Sequence, residues 1–522
     1  MKEENVKLRK LLWGISCAVL SIQLPMMGSA LAQMEDGPKT EKTYGLGLPR
    51  DHKALLFNDD EYPEFPLKQH QQNYRDIDGA RMKRDIIALS QIAMKYRETN
   101  KAQWWGRFPG TSADFEGAKY MLDEFKRLGL QTYSVPYTLP SDWRPSSWSG
   151  SYASKDGAIN LTTIFPASGT KSTPPEGITA EAVWVGVGGE SDFAGRDVRG
   201  KAVIIYSTFV PGGRSHSASD RAGLFNSNTR AAAKGAAFII NVMAVPGNGQ
   251  FQPEGGVRTV TQMTLSQDEG FGLRDRLDAG EKINITVHLN VPTLTNVQTL
   301  WHYAVLPGVT DEQIQLQMHT DGYFYAAEDN NGGMASGLEL ARHYAGLPKA
   351  RRPRTMVWIM FPDHHHGEVA HGMKGGINEI WPWEKVALKL TLEHPSESQI
   401  YMYNEDLTAS NTMSATRWSA LGSPDFERMC VEKLVDFGNS IYGVEDGPKN
   451  GSFAPSFHTI NHILYHTSLD APEMVPAEGQ ARATRAFAAI IDAVNEMTIA
   501  EVKGPAWPYA RSTGSIDGPF ER

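Results

Sequence analysis

Apolar residues recur at helical spacing from 76 to 97, where Ile86, Ile87, Leu89, Ile92 and Ala93 fall on one side and predict an amphipathic helix. Gly106-Arg107-Phe108-Pro109-Gly110-Thr111 reads as a turn, with Thr111 or Ser112 placed to cap a second helix over 113–128. Gly129 is the expected stop of that helix, and a strand over 131–137 follows. Near residue 140 the texture changes. Short β-rich runs at 182–186, 201–206, 237–242 and 283–290 surround a small helical stretch at 231–235. From 296 onward buried strands alternate with helices again: strands at 313–318, 355–361, 386–392 and 460–464, helices at 333–345 and 477–497. Strands alternating with helices predict a layered α/β domain, here interrupted by a β-rich insert.

Length agrees with that division, because 522 residues exceed what one hydrophobic core organises. The expected segments are 1–32, a leader; 33–75, an extended polar arm; 76–145 and 293–503, the two parts of the α/β domain; 146–292, the insert; and 504–522, a Pro- and Gly-rich tail. The leader reading comes from Lys2, Lys7, Arg9 and Lys10, then an apolar run from Leu11 to about Leu24, then Ala30-Leu31-Ala32 as a small-x-small cleavage site. The run is short and Pro25 interrupts it, so a signal peptide fits better than a membrane anchor. The expectation is export to the periplasm or the outside, with no membrane association after cleavage. Removing 1–32 takes away four positive and two negative charges, which turns a net -9 into -11. No long basic run exists, which argues against nucleic acid as a partner. Cys17 lies in the leader and leaves Cys430 alone, so no internal disulfide forms in the mature chain.

Ten of the fifteen histidines lie between His319 and His466, where proportion of length would place about four. Neutral imidazole is the commonest metal ligand. Each of four predicted strands runs into a possible ligand: His319, then Asp363-His364-His365-His366-Gly367-Glu368, then Glu393-His394, then Tyr465-His466. Open α/β sheets place their sites at such strand ends. Asp329 precedes a helix; taken alone it reads equally well as an N-cap.

Taken with Glu328-Asp329-Asn330-Asn331-Gly332-Gly333, His319-Thr320-Asp321, Tyr465-His466-Thr467-Ser468-Leu469-Asp470 and Glu124-Phe125-Lys126-Arg127-Leu128-Gly129-Leu130, the chain resembles the co-catalytic zinc aminopeptidases. That group takes in bacterial leucyl aminopeptidases, glutamate carboxypeptidase and the transferrin receptor. Asp197-Val198-Arg199-Gly200-Lys201-Ala202-Val203 and residues 231–241 resemble a protease-associated domain. The resemblance spans about 75–500. It implies a three-layer α/β/α sandwich with a mixed, mostly parallel central sheet, carrying a protease-associated-like insert that shapes substrate access. It also implies one or two zinc ions, Asp329 as the bridging carboxylate, His319 and Glu393 on one metal, and His466 with a residue of 364–368 on the other.

Two departures stand out. Glu393 replaces the usual Asp, one methylene longer. Where the family carries Glu-Glu, a general base followed by a ligand, this chain carries histidines. Aligned through Asp363, the expectation is His366 as ligand and His365 as base, with Glu368 able to approach from the next turn. A donor set richer in imidazole favours zinc, copper or nickel over calcium or magnesium. The leading expectation is hydrolysis of an amide bond in a peptide or amino-acid amide, aminopeptidase in type. Loss of the Glu-Glu pair leaves open a non-catalytic metal- or ligand-binding protein. The fold also admits a glutaminyl cyclase-like transferase with a single metal. A serine hydrolase is disfavoured because no Gly-x-Ser-x-Gly occurs.

Overall fold

A computed structural model describes residues 62–154, 157–206, 208–209, 215–216, 227–253, 257, 259–366, 382–403, 406–444, 454–460 and 462–505. The leader 1–32, most of the 33–75 arm, Glu368 and most of the tail lie outside the described residues. The part of the arm that is described contains a short 3-10 helix, Gln69–Tyr74, rather than extended chain throughout.

An eight-stranded mixed sheet organises the α/β part. Its spatial order is Gln131–Trp143, Thr293–Leu306, Thr355–Phe361, Gln313–His319, Val386–Thr391, Ser456–Ile460, Thr416–Leu421, Ile441–Val444. The four strands from Thr355–Phe361 to Ser456–Ile460 are mutually parallel, and antiparallel strands flank them. Strand Thr355–Phe361 shows how the sheet is buried on both faces. Met356, Trp358 and Met360 enter the cluster beneath the helices, while Val357, Ile359 and Phe361 enter another on the opposite face.

Helices Gly79–Asn100, Ser112–Arg127, Gly333–Gly346, Pro424–Asp436 and Ala477–Asn495 bury their apolar sides in that first cluster. Their ends follow the local chemistry. Asp78 caps the first by accepting from Arg81 N, and Thr111 caps the second by accepting from Asp114 N. The expected stop Gly129 sits at φ 84°, a left-handed conformation open to glycine.

Residues 147–290 supply all eight strands of a second sheet, ordered Gly157–Asn160, Ser147–Ser154, Asn284–Asn290, Ile178–Trp184, Ala202–Tyr206, Phe238–Val242, Thr261–Leu265, Phe165–Pro166. This segment reaches the first sheet's loops. Phe251 bridges to Thr467, Gln250 N donates to Ser468 Oγ at 2.9 Å, and Ser468 N donates to Gln250 O at 2.9 Å.

One strand differs from expectation. The run expected at 460–464 is a strand over Ser456–Ile460, and the chain turns before reaching His466. His458 is therefore a strand residue, and His466 belongs to a loop.

Candidate metal centre

Asp329 is the hub. It is 2% exposed and lies in the kinked segment Ala327–Gly332 that leads into helix Gly333–Gly346. That segment fits tightly: a Cβ on Gly333 would meet Leu392 O at 2.1 Å. Asp470 anchors it from the other side, taking the Glu328 N–H at 2.8 Å and the Asp329 N–H at 3.2 Å.

Four imidazole nitrogens face the Asp329 carboxylate. His319 Nε2 and His394 Nε2 lie 3.1 and 3.0 Å from Oδ1. His466 Nε2 and His365 Nε2 lie 3.1 and 3.5 Å from Oδ2. Glu393 Oε1 stands 3.7 Å from both His319 Nε2 and His394 Nε2. Two donor groups result, each with its atoms mutually within 4.8 Å: His319, Asp329, Glu393 and His394, and separately Asp329, His365 and His466.

These residues fit zinc on two counts. Metal–ligand bonds of ~2.0–2.2 Å in a tetrahedron set neighbouring donors roughly 3.3–3.6 Å apart, a range the 3.0–3.7 Å separations straddle. Although close together and buried, His319 Nε2, His365 Nε2, His394 Nε2 and both Asp329 oxygens form no hydrogen bond. Buried polar atoms are almost always hydrogen-bonded, and this convergence is one that could hold a metal ion at its centre.

The opposite ring nitrogens are tied down. His319 Nδ1 donates to the Asp321 carbonyl at 3.0 Å and His466 Nδ1 to the Gln252 carbonyl at 3.1 Å. His365 Nδ1 meets the Asp321 carboxylate at 3.0 Å. A carbonyl can only accept, so Nδ1 carries a proton in His319 and His466, and Nε2 is the nitrogen each ring offers toward Asp329.

Electrostatics sharpen the contrast among the histidines. Burial opposes charge on His365, but Asp329 and Asp321 overcome it and raise its pKa to about 10. Burial, helped by His319, lowers His364 to about 4. Burial also lowers His394 to about 3 against the pull of Asp329. Burial works against ionisation of Asp329, yet His365 and His394 hold its carboxyl well below the ordinary range.

The structure brings His319, Asp329, Glu393 and His466 together, and it does not bring His366 with them. His366 Nδ1 lies 2.7 Å from Asp142 Oδ1, where Arg144 also pairs, and His366 joins neither donor group. His365 stands in the place expected for His366. With Nδ1 on Asp321 and Nε2 toward Asp329, His365 has no nitrogen left to serve as base, contrary to expectation. His364 stands one position earlier: its ring stacks on His319 at 4.4 Å, and Nε2 is 3.5 Å from Glu393 Oε1. Its side chain is 29% exposed, whereas those of His319, His365, His394 and His466 are at most 2% exposed. Sequence reasoning missed His394 as a donor and missed Asp321, Asp142 and Gln252 as the groups that orient the rings. The Asp321 of His319-Thr320-Asp321 was the one visible hint.

No family profile matches the chain, and no curated protein matches it by sequence. Solved structures do. A peptidase M28 precursor from Shewanella amazonensis SB2B superposes with a TM-score of 0.60 at 16% identity, covering 86% of this chain and 99% of that one. BSAP, a zinc aminopeptidase from Bacillus subtilis, superposes with a TM-score of 0.54 at 16% identity, covering 82% and 98%. At such identities the shared property is the architecture: the chain has the mixed α/β fold of these two peptidases.

Proposed function

We propose that this chain is an exported, metal-dependent, peptidase-like hydrolase of aminopeptidase type that holds zinc on both sides of Asp329. The observation that carries the reading is the set of imidazole Nε2 atoms converging on the two Asp329 oxygens without hydrogen bonds. The two solved peptidases of the same fold support it. Residues 146–292 are read as a protease-associated-like insert beside the site.

Zinc there would supply Lewis acidity toward a substrate carbonyl and would lower the pKa of a bound water. The chain's residues supply the rest. Asp329 joins the two donor groups, and Asp321 and Gln252 fix the ligand rings. His364, neutral above pH ~4 and the most exposed of the site histidines, accepts the proton that the attacking water gives up. Glu393 has His458 Nε2 3.2 Å from its Oε2, which leaves Oε1 for the metal.

Substitution of the family's acidic pair by His364 and His365 favours one second reading, a protein that binds metal without turnover. The cyclase reading needs a single metal and is disfavoured by two donor groups on one carboxylate. The test is metal analysis of the purified protein together with release of free amino acid from peptides and amino-acid amides. Activity that disappears on chelation and returns with zinc supports hydrolysis. Zinc bound without release from any amide supports the binding reading, and no metal bound ends both.

A further inference from the structure

The geometry points to two unequal centres: His394 completes a closed four-donor site with His319, Asp329 and Glu393, and substrate chemistry is confined to the three-donor site of Asp329, His365 and His466. This rests on the metal reading above and adds a ligand and a division of labour to it.

Donor count carries the argument. Four protein donors saturate a tetrahedral zinc, the pattern of structural sites, whereas catalytic sites keep three protein donors and one position for a reactant. His394 Nε2 is as near Asp329 Oδ1, at 3.0 Å, as His319 Nε2 is at 3.1 Å, and both stand 3.7 Å from Glu393 Oε1. Glu393 has one oxygen for that centre, because Oε2 faces His458 at 3.2 Å. His364 lies 3.5 Å from Glu393 Oε1, and its ring stacks on His319 at 4.4 Å.

Backbone conformation supports a purposeful placement of His394. It is a non-glycine residue at φ 47°, in the left-handed region, as is the other loop ligand His466 at φ 56°. Such a conformation is unfavourable for a non-glycine residue and persists where the surroundings hold it, often at functional sites. Here it has a geometric effect. Glu393 and His394 are neighbours just past strand Val386–Thr391, where extended chain would send their side chains apart. The left-handed turn at His394 lets both reach one centre.

Cobalt(II) tests this with a spectroscopic readout. Four-coordinate cobalt absorbs strongly in the visible, and cobalt with added solvent or anion ligands absorbs weakly. The metal-free full chain is titrated with cobalt alone, then with azide. Two bound ions are expected, one giving a strong band that azide leaves unchanged and one giving a band that azide shifts. His466→Ala should keep only the azide-inert band, and His394→Ala should lose it and leave every remaining band azide-sensitive. Two wild-type ions that both respond to azide would overturn the inference, as would a His394→Ala protein that keeps the inert band; the wild-type result decides even if the variant does not fold. Failure to bind cobalt at all would overturn the metal reading and this inference together, whereas two equally responsive ions overturn this inference alone.

Discussion

Gln252 accepts the Nδ1–H of His466 on its main-chain carbonyl at 3.1 Å and returns its own N–H to the His466 carbonyl at 2.9 Å. This pair ties the 147–290 segment to a metal-facing ring. From the resemblance alone, deleting about 150–290 is expected to alter substrate range more than metal binding; the pairing predicts that metal binding suffers as well. Partners that orient a ligand typically contribute 10–100-fold in metal affinity. Gln252→Pro, which lacks the N–H, should weaken zinc binding about tenfold or more in a chelator competition. Gln252→Ala keeps both main-chain groups and should bind more nearly as the wild type does. Equal affinities for all three proteins would remove Gln252 from the site.

His365 and His366 separate the expectation drawn from sequence from the one drawn from structure. The alignment through Asp363 predicts metal loss in His366→Ala. The geometry predicts it in His365→Ala, because His366 is engaged with Asp142. Elemental analysis should find one metal per chain fewer in His365→Ala and no loss in His366→Ala. The reverse pattern would restore the first alignment.

That contrast shows where the sequence speaks and where it stops. The mixed α/β fold was legible because period-two burial in 355–361 and helical spacing in 76–97 are local patterns with strong physical causes. Asp329, His319, Glu393 and His466 were singled out through local motifs, and the structure brings them together. The run His364-His365-His366 was not, because it lies in a turn where no periodicity dictates which ring faces inward. His394 was hidden for a related reason: alternation predicts that it points away from Glu393, and only its left-handed backbone reverses that. Asp142 and Gln252 come from segments 224 and 214 residues distant from their partners, a pairing no local pattern carries.

Proton release on metal binding follows from the charge on His365. A ligand must give up its proton to bind, so a group protonated in the free site exchanges it for the metal. An ordinary imidazole near 6.5 is already neutral at pH 8 and would release almost nothing. With burial opposed by Asp329 and Asp321, His365 is held at about 10 and is protonated there. Burial opposes charge on His319 too, but Asp321 and Asp329 raise its pKa well above 6.5. Calorimetry at pH 8 in buffers of different ionisation enthalpy should therefore detect release of at least about one proton per chain on zinc binding. The apparent affinity should fall as the pH is lowered. His365→Ala should release fewer protons than the wild type, and an unchanged count would refute the assignment.

Away from the site, His302 links pH to folding with the opposite sign. It is 4% exposed within strand Thr293–Leu306, its Nδ1 2.8 Å from Ser134 Oγ, and burial lowers its pKa to about 4. In the unfolded chain the ring titrates near 6.5. Between these values the unfolded state binds more protons than the folded one, so stability falls as pH drops from about 6.5 toward 4. At ~1.36 kcal/mol per pH unit, the full loss is about 3 kcal/mol. His302→Gln retains a partner for Ser134 but cannot take up this proton. Urea unfolding of metal-free protein at pH 7 and pH 4.5 should show the wild type losing about 2–3 kcal/mol more than the variant between the two conditions. Parallel losses would mean that His302 is protonated in the fold as readily as outside it, and that its burial in the sheet is not dry.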